Sequence, residues 1–324
     1  MDTMAWHKQV TKNWEDLAPG CTPLVRDAFN AVSNQYPWPG GAKGIKRDLR
    51  VCEPHSSPLV STDTIQGVIW QKVESWGEFV YPLAESNRTT IGPACARMGA
   101  AATAGSGGSG GGWQATTRAL VRELINTPNT SCLNLTAFKA QDTGPGARAW
   151  DYLACTELVH PIGSNNRAPP PPFLPGPETS LHLCVLDVGA QSCSGTDFFP
   201  PFNWTLEATT AQCNGVFGGD NWSVTPRPSS LPDSFGLRHL SRFAQLPSSS
   251  SRIIWTYGMR DPWHVGGLIN GLQPPYSLNR ESVVITIEDG SHCADMAPSS
   301  ADDSASMLAA RGKVEATLRK WLGA

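Results

Sequence analysis

Along the first 34 residues the apolar positions recur at helical spacing. Leu17, Leu24, Val25, Phe29 and Val32 fall near the i, i+3, i+4 and i+7 positions of one face. The pattern predicts helix from Trp6 to about Asn34, with a break at Pro19-Gly20. Pro37 to Gly41 forms a Pro/Gly interruption. A second amphipathic helix is predicted from Ser61 to Phe79. It opens at the Ser61/Thr62 cap region and carries Ile65, Val68, Ile69 and Val73. Gly105 to Gly112 is a tract of Gly and Ser that reads as low-complexity and flexible. Helix is predicted to resume from Trp113 to Leu124, so the first 125 or so residues read as mostly helical.

The middle of the chain is loop-rich. Pro169 to Pro172 reads as an exposed polyproline insertion, and Pro200-Pro201 and Pro226-Arg227-Pro228 are further breaks. The last 75 residues change character. Arg252 to Tyr257 is a short β-rich run, Gly258 to Pro262 turns the chain, and Trp263 to Leu272 can form a short helix. Ser282 to Ile287 is a second strand, apolar on both faces as in a buried parallel sheet. Glu288 to His292 is a loop. Ser304 to Leu322 is an amphipathic helix with Met307, Leu308, Val314, Leu318 and Trp321 on one side. Strand, helix, strand, loop, helix is the pattern of a βαβ unit with a closing helix, and it predicts an α/β class.

Composition narrows the function classes. The chain has 324 residues, a formal net charge of −3 and 16% charged residues. No basic field exists to bind nucleic acid or an anionic membrane. No run reaches the roughly 18–20 apolar residues of a membrane span. Nine cysteines and five N-x-Ser/Thr sequons, at Asn87, Asn129, Asn134, Asn203 and Asn221, point to a secretory or lysosomal parent. The residues from Met1 to Lys8 lack the apolar core and cleavage site of a signal peptide, so the expectation is a longer parent protein.

The candidate chemistry sits in the terminal unit. Asp261 follows the first strand and His292 follows the second. Functional groups of open α/β sheets lie beyond the carboxyl ends of the strands. The order acid then His, after a serine, is that of α/β-hydrolase triads. His292 would take a proton from a serine hydroxyl and return it to the leaving group. Asp261 would hold the imidazole tautomer. The same residues also suit an Asp in a turn and a surface His in a Gly-rich loop.

Several segments resemble one family. Gly258-Met-Arg-Asp261-Pro-Trp263-His-Val-Gly266-Gly267 and Val284-Ile-Thr-Ile-Glu-Asp-Gly290-Ser-His292-Cys-Ala-Asp295 look like the Asp and His segments of the prolylcarboxypeptidase and dipeptidyl peptidase II serine peptidases. Trp150 to Glu157, Phe198 to Trp204 and Val224 to Pro228 resemble further motifs of that family, in its order. The resemblance implies the C-terminal part of an α/β-hydrolase fold preceded by a mostly helical cap domain. That division puts the cap at residues 1–145 and the hydrolase part at 146–324, with a Pro-rich insertion at 161–195.

The implied activity is a serine exopeptidase cleaving next to proline, of carboxypeptidase or dipeptidyl-peptidase type. Asp261 and His292 carry over as acid and base, and Trp263 and Glu157 as candidate substrate-binding residues. The implied partners are peptides with proline near a terminus, with no nucleic acid and no membrane span; a homodimer stays open. No cofactor or metal is implied. The parent is expected in the lysosome, a vacuole or outside the cell. The family also implies disulfides between Cys21 and Cys95, Cys52 and Cys132, and Cys155 and Cys213. Three departures stand out: Cys293 for a usual second His, Ser291 for Ala, and the long insertion after His160.

The serine is not found with its partners. The string Gly107-Gly-Ser109-Gly-Gly111 has the elbow's letters, but an elbow needs a buried strand before it and a helix after, and poly-Gly cannot hold the strain. By resemblance the nucleophile lies upstream of Met1, and so does the partner of Cys193, with Cys184 and Cys293 outside the family's pattern. The expectation is a chain inactive alone. The alternatives are a non-catalytic isoform or pseudoenzyme that acts by binding, and an unrelated α/β-hydrolase such as an esterase.

Overall fold

The computed structural model describes residues 5–32, 41–48, 50–52, 62–81, 90–105, 115–120, 132, 145–157, 162, 164, 197–201, 204–219, 223–227, 251–266 and 281–323. They fall into two compact units. The first takes in residues 1–139 and 163–202; the second takes in 140–162 and 203–324.

The first unit is built from helices α1 (Ala5–Leu17), α2 (Cys21–Val32), α3 (Gly41–Asp48), α4 (Thr62–Glu78) and α5 (Ile91–Gly105), with a further helical stretch at 115–120. In α1, Trp6, Val10, Trp14 and Leu17 recur on one face, and all are buried. The chain leaves α1 at Pro19-Gly20, where Gly20 has φ +81°, the left-handed conformation that stops a helix at least cost. The helix expected across 6–34 is therefore two helices joined at the Pro-Gly break.

Trp14 is fully buried and donates its indole N–H to the carbonyl of Val73 in α4 at 3.0 Å. Asn13 donates to the carbonyl of Gly77 at 2.7 Å. A side chain at Gly77 would strike Val10 and Trp14, so this glycine is what lets α4 lie so close to α1. Phe29, Phe198 and Phe199 complete an aromatic core with Trp14 and Trp70. Disulfides join Cys21 of α2 to Cys95 of α5, and Cys52 to Cys132. Helix α5 was not legible as such: its run of Ala and Gly has no strong apolar stripe, and the expected flexible tract begins at its last residue.

In the second unit, α6 (Pro145–Thr156) and α7 (Leu206–Phe217) are joined by the disulfide Cys155–Cys213. Thr205 caps α7 by accepting from the N–H of Ala208 at 3.1 Å. Strands β1 (Ile254–Gly258) and β2 (Val283–Ile287) pair in parallel, with Ile254 opposite Val283 and Gly258 opposite Ile287. A 3-10 turn, Pro262–Gly266, follows β1; the rest of the short helix expected to Leu272 lies outside the described residues.

Helix α8 (Ala305–Leu322) lies against β2. Its cap Ser304 accepts from the N–H of Met307 at 3.1 Å, and Gly323 closes it at φ +71°. Strand β2 is not apolar on both faces in effect. Ile285 and Ile287 are buried, while Thr286, whose side chain points the other way, is exposed. The stripe expected on α8 is also narrower: Met307 and Ala310 are buried, whereas Leu308 and Leu318 are exposed.

Candidate acid–base site

The two strand ends are drawn together by backbone alone before any side chain acts. Beyond the ladder, the N–H of Met259 donates to the carbonyl of Ile287, and that of Arg260 to the carbonyl of Gly290, each at 2.8 Å. A β-carbon on Gly258 would collide with the carbonyl of Gly290, and one on Gly290 would lie 3.1 Å from the α-carbon of Gly258. Two glycines back to back thus let the loops touch. The loop after β1 delivers Asp261 and the loop after β2 delivers His292.

Asp261 is held at both carboxylate oxygens. Its Oδ1 accepts the backbone N–H of Trp263 at 2.9 Å, a local turn of the kind Asp forms readily. Its Oδ2 faces Nδ1 of His292 at 3.1 Å. A carboxylate only accepts, so Nδ1 carries the hydrogen and Nε2 presents its lone pair. The side chains are 16% and 29% exposed respectively: partly dry, yet open to a reactant. The Trp263 ring lies 6.2 Å from the imidazole, centroid to centroid, tilted by 42°. On the far side of the ring, Nε2 of His292 is 3.5 Å from Sγ of Cys293.

A second layer fixes the His292 loop. Asp295 accepts from the hydroxyl of Thr256 on β1 at 2.7 Å. Arg311 on α8 pairs with Asp303 at 3.0 Å and donates to the carbonyls of Asp295 and Ala297 at 3.3 and 2.9 Å. Asp289, at the base of the loop, accepts from Ser304 and Ser306 at 2.8 and 2.6 Å. Burial lowers the Arg260 guanidinium from its usual value, and the Asp289 carboxylate opposes that shift.

The expected site residues separate into three groups. Asp261, His292 and Trp263 converge. Glu157 is exposed in the turn after α6. His264 turns back on the carbonyl of its neighbour Asp261. The sequons at Asn87, Asn129, Asn134, Asn203 and Asn221 lie outside the described residues, as do Ser109, His160, Cys184 and Cys193. Among the described residues no group of three His, Cys, Asp or Glu could hold a metal ion. A cavity of about 700 Å³ lies on the α8 side of the sheet, lined by Ile254, Thr256, Met307 and Leu318 among others, not by Asp261 or His292. Sequence reasoning missed Arg311 and Thr256, because neither spacing nor residue type marks them. It noted Cys293 only as a departure.

Residues 181–314, which contain Asp261 and His292, match the family described as serine carboxypeptidase S28, a family of α/β-hydrolase-type serine peptidases. Over 341 aligned residues the chain is 24% identical to the lysosomal Pro-X carboxypeptidase of Mus musculus and 23% identical to that of Homo sapiens. In both cases 97% of this chain and 54% of the relative are covered. It is also 25% identical over 214 residues to the thymus-specific serine protease of Homo sapiens, covering 63% of this chain and 33% of that one. The chain spans about half the length of the lysosomal Pro-X carboxypeptidases it matches.

Proposed function

We propose that this chain, whose residues 181–314 match the S28 serine carboxypeptidases, is the acid–base part of a serine exopeptidase that cleaves next to proline. The single observation that carries the reading is the Asp261 Oδ2 to His292 Nδ1 contact of 3.1 Å at the ends of two parallel strands, inside the matched segment. His292 is the general base and then the general acid at Nε2; Asp261 orients the ring and stabilises the imidazolium. Trp263 forms one wall beside the imidazole, suited to an apolar ring such as proline. The first, helical unit is the counterpart of the cap domain that the family resemblance implies.

The nucleophilic serine comes from sequence preceding this chain, within the part of the relatives' length that the chain does not span. Peptides with proline near a terminus are the substrates, and the lysosome or the extracellular space is the setting. The name lysosomal Pro-X carboxypeptidase, carried by the Mus musculus and Homo sapiens relatives, supports a proline-directed substrate and a lysosomal setting.

The test has two arms. In the first, the transcript is translated upstream of Met1 and the longer protein is assayed on peptides ending in Pro-X and on peptides beginning X-Pro. Asp261→Asn is expected to lower kcat by about 10⁴; full activity in that variant sinks the assignment. In the second, a fluorophosphonate is applied to the present chain, with no labelling expected. Stoichiometric labelling lost in His292→Ala overturns the upstream serine.

A further inference from the structure

We propose that Asp295 is a positioning residue for His292, and that its bond to Thr256 keeps the imidazole on the Asp261 carboxylate. This rests on the reading of Asp261 and His292 as acid and base. The hydroxyl of Thr256 donates to Oδ2 of Asp295 at 2.7 Å. Thr256 lies on β1, and Asp261 is carried by the loop that leaves the same strand. Asp295 lies in the 3-10 turn Ala294–Met296, on the loop that carries His292. The four residues thus form a closed bracket. One side, β1 and its loop, holds Thr256 and Asp261; the other, the loop after β2, holds Asp295 and His292. Two side-chain contacts, of 2.7 and 3.1 Å, join the sides.

The backbone ties the His292 loop to β1 at one end. The N–H groups of Met259 and Arg260 hold the carbonyls of Ile287 and Gly290, just before His292. After His292 the backbone bonds are local: Ala294 N–H to the Ser291 carbonyl at 3.3 Å, and Met296 N–H to the Cys293 carbonyl at 3.1 Å. They shape the turn without attaching it to β1. Among the described residues, the side-chain bond that attaches it is the one from Thr256 to Asp295. Arg311 holds the same turn from α8, a helix that carries neither member of the acid–base pair. His292 therefore sits between two anchors on the strand that delivers Asp261. A loop held at both ends cannot swing the imidazole away from the carboxylate unless one anchor breaks, and small displacements of a catalytic group cost large factors in rate.

A hydrogen bond to a carboxylate holds back such an opening by about tenfold or more. Bonds between neutral groups are roughly half as strong, which leaves about threefold for an amide in place of the carboxylate.

The test reads the Nδ1-bound proton of His292 in the full chain by NMR. Its exchange with water requires the Asp261–His292 bond to open, and saturation transfer from water measures that rate. Asp295→Ala and Thr256→Val are each expected to speed the exchange about tenfold or more, and the double variant no more than either alone. Asp295→Asn is expected to speed it about threefold. Thr256→Ser keeps the hydroxyl and is expected to restore the original rate. Backbone amide spectra of β2 and α8 check that each variant is folded. An unchanged rate in folded Asp295→Ala or Thr256→Val overturns the proposal, as does a Thr256→Ser rate equal to that of Thr256→Val. If both disruptive variants misfold, Asp295→Asn decides: a rate equal to that of the unsubstituted chain overturns the proposal. Asp261→Ala separates this proposal from the reading it rests on. A His292 proton indifferent to Asp261→Ala, or absent from the unsubstituted chain, defeats both. A proton lost in Asp261→Ala but indifferent to Asp295 and Thr256 defeats the positioning role alone.

Discussion

Replacing Gly258 with Ala tests whether backbone contact at the strand ends builds the acid–base pair. The added β-carbon would strike the carbonyl oxygen of Gly290, with the Gly290 carbonyl carbon at 2.7 Å and the Ser291 carbonyl oxygen at 2.9 Å. All three are backbone atoms, so no side chain can swing away. Gly258 is not left-handed, so the cost is one of contact and not of conformation. Overpacking of this kind costs about 1–3 kcal/mol. Separating the loops also stretches the bond from the Arg260 N–H to the Gly290 carbonyl, worth about 0.5–1.5 kcal/mol. Together these come to about 1.5–4.5 kcal/mol, concentrated where β1 meets the His292 loop. Hydrogen exchange of the full chain, read by mass spectrometry on the peptide from Val283 to Cys293, should show protection lowered by roughly tenfold or more. Protection within threefold of the parent chain would refute the argument that the Gly258–Gly290 approach holds the site.

Other expectations follow from the same contacts. Replacing Cys155 and Cys213 together with Ser removes a crosslink across 58 residues, which chain-entropy reasoning values at about 4 kcal/mol; denaturant unfolding of the oxidised chain should register it, and a loss under 1 kcal/mol would contradict that account. Arg311→Met removes the ion pair of the Asp303 carboxylate, whose side chain is only 3% exposed, and is expected to cost roughly 2 kcal/mol or more, short of a fully buried pair because Arg311 is itself a quarter exposed. Adding Asp303→Asn should recover part of that loss; no recovery in the double variant, by the same unfolding measurement, would mean the ion pair is not the cause. Trp14→Phe deletes the donor to the buried Val73 carbonyl and should cost about 1–3 kcal/mol in thermal unfolding, with no change arguing that the bond contributes nothing.

Much of the architecture could be read ahead of the structure wherever burial follows a simple period. The α4 stripe of Ile65, Val68, Ile69 and Val73 is apolar at helical spacing and all four residues are buried, because one face of that helix meets α1. The Pro19-Gly20 break and the two terminal strands were legible for a similar reason: Pro, Gly and β-branched residues carry backbone preferences that neighbours rarely overturn. Helices α5, α6 and α7 were not, since their small or mixed residues are placed by crosslinks and partners distant in sequence, Cys21–Cys95 and Cys155–Cys213 among them.

The chain's own order of residues determined that an Asp and a His follow two successive strands, and which residues carry an acid, a base and a thiol. Only the tertiary structure decided that they meet. Asp261 and His292 are 31 positions apart, and their 3.1 Å contact depends on two glycines whose missing side chains let the loops touch. Asp295, Thr256 and Arg311 then pin the loop from three different elements. That Cys293 lies against Nε2 was equally invisible in the letters, because in an extended chain successive side chains point apart. The left-handed turn at Cys293 brings the thiol and the imidazole together, and a φ angle is a property of the folded backbone, not of the letter.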